Sequence, residues 1–216
     1  MVVHEREIMY KKLDDEILNN ILESGIDEFV DKGLGGANMR NIARRAGVSV
    51  GVIYKYYSDK DSFFRACLAH SLQLLDSVLA EAVSEDDDID SCIRKIVYAL
   101  VRNSEQHSNY NAMYNEITSG GCRAYAAEFA REIESRSAKV YRHLIAKAQE
   151  QGKIPKDTDS GTLAFFFDNL LMMLQFSLSC EYYRERMQIF CGESTDKNGI
   201  AEYMISFIQK ALIKEA

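Results

Sequence analysis

Six basic side chains, Arg40, Arg44, Arg45, Lys55, Lys60 and Arg65, fall within residues 38–65, where the only acids are Asp59 and Asp61. This stretch therefore carries a net charge of +4 inside a chain whose net charge is −7. A basic patch on an acidic protein is an electrostatic footprint for nucleic acid, because each cation neutralises a phosphate and releases a counterion. A solvated basic face is the competing reading, so the elements that carry these residues decide between the two.

The same stretch encodes two short helices and the start of a third. Met39, Ile42, Ala43 and Ala46 lie at helical spacing and give the first helix one apolar face, which leaves Arg40, Arg44 and Arg45 on the other. Asn38 is placed to cap it. Gly47 supplies the left-handed conformation that ends a helix, and Ser49 is placed to cap the next one after a turn of about three residues. In that second helix Ile53 and Tyr57 face inward, leaving Val50, Val52, Tyr54, Lys55 and Tyr56 for the outer and lateral faces. A recognition helix lays such a face in the major groove. Ser58 and Asp61 have capping-box spacing, so a third helix is expected at once, with Phe63, Phe64 and Leu68 turned inward. Lys60 in its first turn opposes the helix dipole, which makes sense if a phosphate sits there.

The sequence I-A-R-R-A followed by G-V-S-V-G-V-I-Y-K-Y-Y-S-D-K-D (residues 42–61) resembles the N-terminal signature of the tetracycline-repressor (TetR) family of bacterial transcription regulators. The likeness extends upstream through I-L-E-S-G-I-D-E-F-V-D-K-G-L (residues 21–34), with Phe29 and Gly33 at matching positions. Asn38 stands where that family usually has Thr or Ser, and Tyr57 where it usually has Phe; both keep the capping or packing chemistry. The resemblance covers residues 21–61 and implies a candidate DNA surface of Asn38, Arg40, Arg44, Ser49, Val50, Gly51, Val52, Tyr54, Lys55, Tyr56 and Lys60.

The rest of the chain reads as helical. With one proline, 12 glycines and 47% hydrophobic residues in 216, the composition favours long helices over a many-turned β fold. The expected class is all-α: an N-terminal three-helix helix-turn-helix DNA-binding domain (1–65) followed by a helical ligand-binding and dimerisation domain (66–216). The chain's first residues, 1–12, read as a frayed arm in which Arg6, Lys11 and Lys12 could touch DNA backbone, a solvated tail being the commoner outcome. Helical stripes are expected over residues 14–30, from 59 to about 83, from Ile93 to about 105, over 109–118 and over 126–151. The acidic run 84–90 is a solvated loop, and Ser119 to Gly121 is a break.

Residues 163–180 are apolar almost all round, and the terminal stripe Ile200, Tyr203, Met204, Phe207, Ile208, Ala211 and Leu212 is of the same kind. Asp168, Asn169 and Gln175 interrupt the first run, which argues against a membrane span. A helix covered by its own domain on one side and by a second copy on the other explains the pattern, giving a four-helix interface in a homodimer. The resemblance implies the same contact. Phe165, Phe166, Leu170, Phe207 and Ile208 are the residues expected between the chains.

The C-terminal region also exceeds what dimerisation needs, and the architecture of the resembling family implies a small-molecule pocket there. Tyr98, Tyr110, Met113, Tyr114, Tyr125, Phe129, Phe165, Phe166 and Met172 are its candidate walls. Most aromatics of a helical domain are ordinary core, so only part of this set is expected to meet a ligand.

Other chemistry is not signalled. The five cysteines lack C-x-x-C spacing and suit a reducing cytoplasm, as small core residues rather than a redox sensor. The four histidines have no ligand spacing, so no metal is expected, and no cofactor. No nucleophile elbow, P-loop or dinucleotide-binding glycines are present, so no catalytic residue is assigned and an enzyme is not expected. Asp168 with Glu116 could be imagined as a carboxylate pair, but a helix-borne acid is usually solvated or structural. The expected function is a cytoplasmic, ligand-responsive regulator of double-stranded DNA, a repressor released from a palindromic operator by a small molecule. The alternative is a helical dimerisation or adaptor protein without sequence-specific DNA binding.

Overall fold

The structure is a computed structural model, and it describes residues 14–82, 87–118, 125–192 and 196–214. The arm 1–12 and the break at 119–121 lie outside the described residues, as do residues 84–86 of the acidic run. Among the described residues the fold is all-α, with ten helices in chain order: α1 (Asp15–Gly36), α2 (Met39–Arg45), α3 (Val50–Tyr56), α4 (Lys60–Ala82), α5 (Ile89–Gln106), α6 (Ser108–Glu116), α7 (Ala126–Glu150), α8 (Ser160–Ser179), α9 (Glu181–Cys191) and α10 (Lys197–Leu212).

Helix starts follow side-chain capping. Asp14, Asn38, Asp88, Asp159 and Asp196 each accept a hydrogen bond from a backbone N–H in the first turn of α1, α2, α5, α8 and α10, satisfying donors that have no partner inside the helix. At α4 the box is displaced from the expected Ser58 and Asp61. The Asp59 carboxylate accepts from Ser62 N at 2.7 Å, and Ser62 Oγ accepts from Asp59 N at 3.2 Å. Asp59 directly precedes the helix and its short side chain reaches the third amide, whereas Ser58 lies one residue too early. Glycines at positive φ end α2 (Gly47, 69°) and α7 (Gly152, 75°).

Two cores hold the helices. The first gathers Phe29, Phe63 and Phe64 with Ile21, Ile26, Ile42, Ile53 and Cys67, and it continues into Met113 and Ile117 of the α6 end and Phe129 and Ile133 of α7. Full burial of each large apolar side chain is worth about 1.5–3 kcal/mol, against about 1 kcal/mol for a typical cap. The helix-turn-helix unit therefore shares its core with the C-terminal region. Gly25 permits the closest approach: a Cβ there would meet Phe63 Cε1 at 2.6 Å and Cys67 Sγ at 2.7 Å.

The second core joins α5, α7, α8 and α10 through Ile93, Ile96, Leu100, Tyr141, Ile145, Phe167, Leu171, Leu174 and Ile205. The helix α8 is long and apolar enough, by length and composition, to cross a membrane. One side of it fills this core, while Phe165 (64% exposed) and Phe166 (57%) face outward together with Tyr203 and Phe207 of α10. Ile208 does not join that outward face. It is fully buried among its own chain's helices, because it follows Ala201 and Ile205 by seven and three residues on the inward side of α10. The helix α9, which composition alone left unassigned, presents Tyr182, Ile189 and Phe190 at its surface.

Candidate nucleic-acid interface and ligand cavity

The α2–α3 pair is fixed to α1 by a buried carboxylate. Glu28, 2% exposed, accepts from Asn38 N and from Asn41 Nδ2, both at 3.2 Å, and Arg45 Nε lies 3.8 Å away. Arg45 also donates to Asp31 at 2.9 Å, so this arginine is committed to the scaffold. Asn20 Nδ2 reaches the carbonyl of Ala46 at 3.2 Å and satisfies the end of α2. Buried charge is tolerated only where hydrogen bonds and a counter-charge meet it, as they do at Glu28.

With those residues used internally, Arg40, Arg44, Ser49, Gly51, Tyr54, Lys55 and Tyr56 are exposed, and Arg40 and Tyr54 share one concavity. Ser49 stands at the N-cap position of α3 but its side chain makes no capping bond there. Gly51 faces open space, its nearest neighbour being Ser49 Oγ at 3.7 Å from a built Cβ. Val50 and Val52 are half-buried and pack partly against the core, so only part of each is presented outward. Lys55 Nζ lies over the Tyr56 ring, 5.7 Å from its centroid.

Lys60 is half-buried beside the end of α1, where its Nζ donates to the carbonyls of Gly35 (3.2 Å) and Ala37 (3.4 Å). These carbonyls lie past the Gly33 kink (φ 66°), where helical bonding is interrupted. Asn38, Arg40, Val50, Tyr54 and Lys60 line one open concavity of about 480 Å³. It offers cationic and hydroxyl donors to a phosphate at the edge of α3.

A second, larger cavity of about 680 Å³ lies between α7 and α8, lined by Glu134, Ser137, Arg142, Phe165, Asp168 and Met172 among others. Beside it a narrower recess of about 70 Å³, sharing Glu134, Ser137, Asp168 and Met172, reaches Leu68, Leu72 and Leu75 of α4 and Tyr110 and Tyr114 of α6. The Tyr114 hydroxyl donates to Glu134 at 2.7 Å. Burial beside Glu134 and Asp168 pushes the Tyr114 and Tyr141 hydroxyls well above the ordinary phenol range. Burial first, and the charge of Glu134 second, push the Asp168 carboxyl up to about 6, against the nearby Ser137 hydroxyl.

Of the expected pocket walls, the structure brings Tyr110, Tyr114, Phe165 and Met172 to these cavities. The others lie elsewhere. Tyr98 donates to Glu202 of α10, Met113 and Phe129 are core, Tyr125 donates to Asp61 at 2.6 Å, and Phe166 is an outward residue of α8. Asp168 faces Glu134 rather than Glu116, which sits beside Gly33 of α1. Glu134, Ser137 and Tyr141 had no signal in the sequence, since only the packing of α7 on α8 brings them to Asp168. The cavities are joined to the helix-turn-helix unit at Glu23, which accepts from the Tyr110 hydroxyl and lies 3.0 Å from His70 Nε2. Asn109 donates to Asp27 at 3.0 Å beside it.

Comparison with known proteins agrees with this geometry. Residues 21–67 match the family described as bacterial regulatory proteins, tetR family. Among curated proteins, the HTH-type transcriptional regulator BetI of Burkholderia cenocepacia is 32% identical over 95 residues, which is 44% of this chain and 45% of that protein. The match thus spans less than half of the relative. A similar protein from Burkholderia lata is 33% identical over the same share. Among solved structures, a TetR family transcription regulator from Marinobacter aquaeolei superimposes with a TM-score of 0.71 at 20% identity, covering 94% of this chain and 98% of that one. The fatty acid degradation regulator FadR of Bacillus halodurans gives 0.70 at 14% identity, covering 92% and 97%. With the helix-turn-helix unit matched in sequence and nearly the whole chain matched in fold, residues 21–67 carry the DNA-binding unit of the bacterial regulatory proteins of the tetR family, and the chain has the fold of solved regulators of that family.

Proposed function

We propose that this chain is a cytoplasmic transcriptional repressor that binds a palindromic operator in double-stranded DNA as a homodimer and releases it when a small molecule fills the α7–α8 cavity. The observation that carries the reading is the division of labour among the basic residues. Arg45 is committed to Glu28 and Asp31, whereas Arg40, Arg44 and Lys55 are turned outward beside Ser49, Tyr54 and Tyr56. A purely structural helix-turn-helix in an adaptor protein has no need of that outward cationic face.

In this reading residues 1–65 form the DNA-binding domain and 66–216 the ligand-binding and dimerisation domain, despite the core they share. Asn38, Tyr54, Tyr56 and Lys60 hold phosphates, and the outward parts of Val50 and Val52 meet thymine methyls. Phe165, Phe166, Tyr203 and Phe207 form the apolar face that a second copy covers. The two recognition helices of a dimer must enter successive major grooves about 34 Å apart. A ligand in the recess touches Leu72 and Leu75 of α4 and Tyr110 of α6, the two elements that lead to the DNA-binding unit. Footprinting on the DNA upstream of the protein's own reading frame tests the proposal. A protected, two-fold-related site is expected, and uniform weak protection of the whole fragment would contradict it.

A further inference from the structure

Glu134 and Asp168 are half-buried carboxylates that line both the α7–α8 cavity and the recess beside it. No lysine, arginine or histidine among the described residues lines the recess. Among the described residues the cavity's one basic wall residue, Arg142, lies over Gly161 and near Asp159, whose carboxyl is held down first by the Thr162 amide and only last by this arginine. The inner acids are thus left without a cation among the described residues. Carboxylates removed from water without a counter-charge are costly, and they tend to persist where something outside the chain supplies the charge.

A second observation points the same way. Tyr141 is 2% exposed and lines the recess, yet its hydroxyl has no hydrogen bond among the described residues. With no buried polar atom left unsatisfied, that oxygen opens onto the recess space. The recess therefore combines two acids, the Tyr110, Tyr114 and Tyr141 rings, and apolar walls from Leu68, Leu72, Leu75, Ile133 and Met172.

From this we infer that the cavity takes an organic cation, an ammonium or other onium centre carried on a hydrocarbon or aromatic body. Acid and ring faces both favour positive charge. An anion would bring a third negative charge into the same space, and a neutral ligand would leave the two carboxylates uncompensated. A volume of about 680 Å³ falls in the range of small-molecule sites. Asp168, held protonated up to about pH 6 and faced by Glu134, Tyr114 and Tyr141 with no base in the recess, makes protons competitors of the cation.

The inference rests on reading this cavity as the effector site, but its test needs no DNA. Calorimetry of the full chain at pH 7.5 compares tetraphenylphosphonium and benzyltrimethylammonium with tetraphenylborate, an anion of nearly the same size and shape as the first. At least one cation is expected to bind, the anion is not, and binding should weaken at pH 5. Glu134→Gln combined with Asp168→Asn should lower the cation affinity tenfold or more, with each single variant intermediate. If the double variant fails to fold, the single variants and the cation–anion comparison decide. Absence of binding by both cations, equal binding of the anion, or unchanged affinity in folded carboxylate variants would each overturn the inference. Cation binding by a protein that does not recognise DNA would instead leave the site standing and remove the regulatory reading.

Discussion

The hydroxyl of Tyr110 on α6 donates to the carboxylate of Glu23 on α1, so a ring that lines the recess beside the α7–α8 cavity is tied directly to the first helix of the helix-turn-helix unit. Allosteric coupling is typically worth about 1–3 kcal/mol, a five- to 150-fold change in affinity. Saturating tetraphenylphosphonium is therefore expected to weaken operator binding by a factor in that range. In Tyr110→Phe, which keeps the ring but loses the bond, the factor should fall toward one while DNA affinity without ligand stays within a few-fold. Anisotropy titrations of labelled operator with and without the cation measure both quantities; an unchanged ratio in the variant would remove Glu23 from the route.

Replacing Lys60 by Ala removes a cation from the proposed DNA face and also frees the carbonyls of Gly35 and Ala37. Operator and unrelated DNA should lose affinity alike, and the slope of log K against log salt should shrink by about one. A change in sequence preference at equal affinity would instead make Lys60 a base-reading residue.

Gly25 and Gly35 should respond oppositely to alanine. At Gly25 the new Cβ meets Phe63 and Cys67 below 3.0 Å, and such overpacking costs about 1–3 kcal/mol. At Gly35 nothing lies within 4 Å and φ is not positive, so alanine should be neutral or stabilise by up to about 1 kcal/mol through reduced backbone freedom. Urea denaturation of the two variants measures the difference.

The raised Asp168 carboxyl makes stability depend on pH in a definite direction. The folded chain holds this proton up to about pH 6, whereas the unfolded chain releases it near pH 4. Between those values the folded state binds more protons, so the Asp168 contribution falls as pH rises through the window and is flat above it. Asp168→Asn should consequently gain about 1–3 kcal/mol over the native chain at pH 7.5 relative to pH 4. An equal difference at both pH values would show that Asp168 is not desolvated.

Phe165 and Phe207 face outward and Ile208 inward, which separates association from folding. Phe207→Asp should yield a folded monomer by sedimentation at micromolar concentration, with helicity retained. Ile208→Ala should leave association intact at low temperature and lower stability by about 2–5 kcal/mol through the cavity it opens.

The helix-turn-helix was legible because its signals are local: the apolar spacing of Met39, Ile42, Ala43 and Ala46, the stop at Gly47 and the cap at Asn38 all act within one turn. Glu28 was not legible, since a carboxylate in an amphipathic helix reads as solvated until the Asn38 amide and Asn41 arrive from the next helix to hold it. The α7–α8 cavity was legible only in part. Tyr114 and Met172 reach it, but aromatic type alone did not separate them from Tyr98, which is bound to Glu202, or from Phe129 in the core. The acids Glu134 and Asp168 meet only through the packing of α7 on α8, a long-range relationship that no spacing rule encodes. The assignment of Ile208 to an interface failed because a stripe of helical period does not show which of its edges faces the chain's own core.

On the proposed function, the outward residues of α2 and α3 read DNA sequence. Fluorescence anisotropy at 150 mM salt, with the protein's own upstream DNA and a scrambled duplex of equal length and composition, tests it most directly. A specific regulator binds its site about 10³-fold or more tightly than unrelated DNA, and Arg44→Ala should weaken both complexes. Equal affinity for the two duplexes, with no protected site anywhere in the upstream region, would contradict the account and leave a helical dimerisation protein in its place.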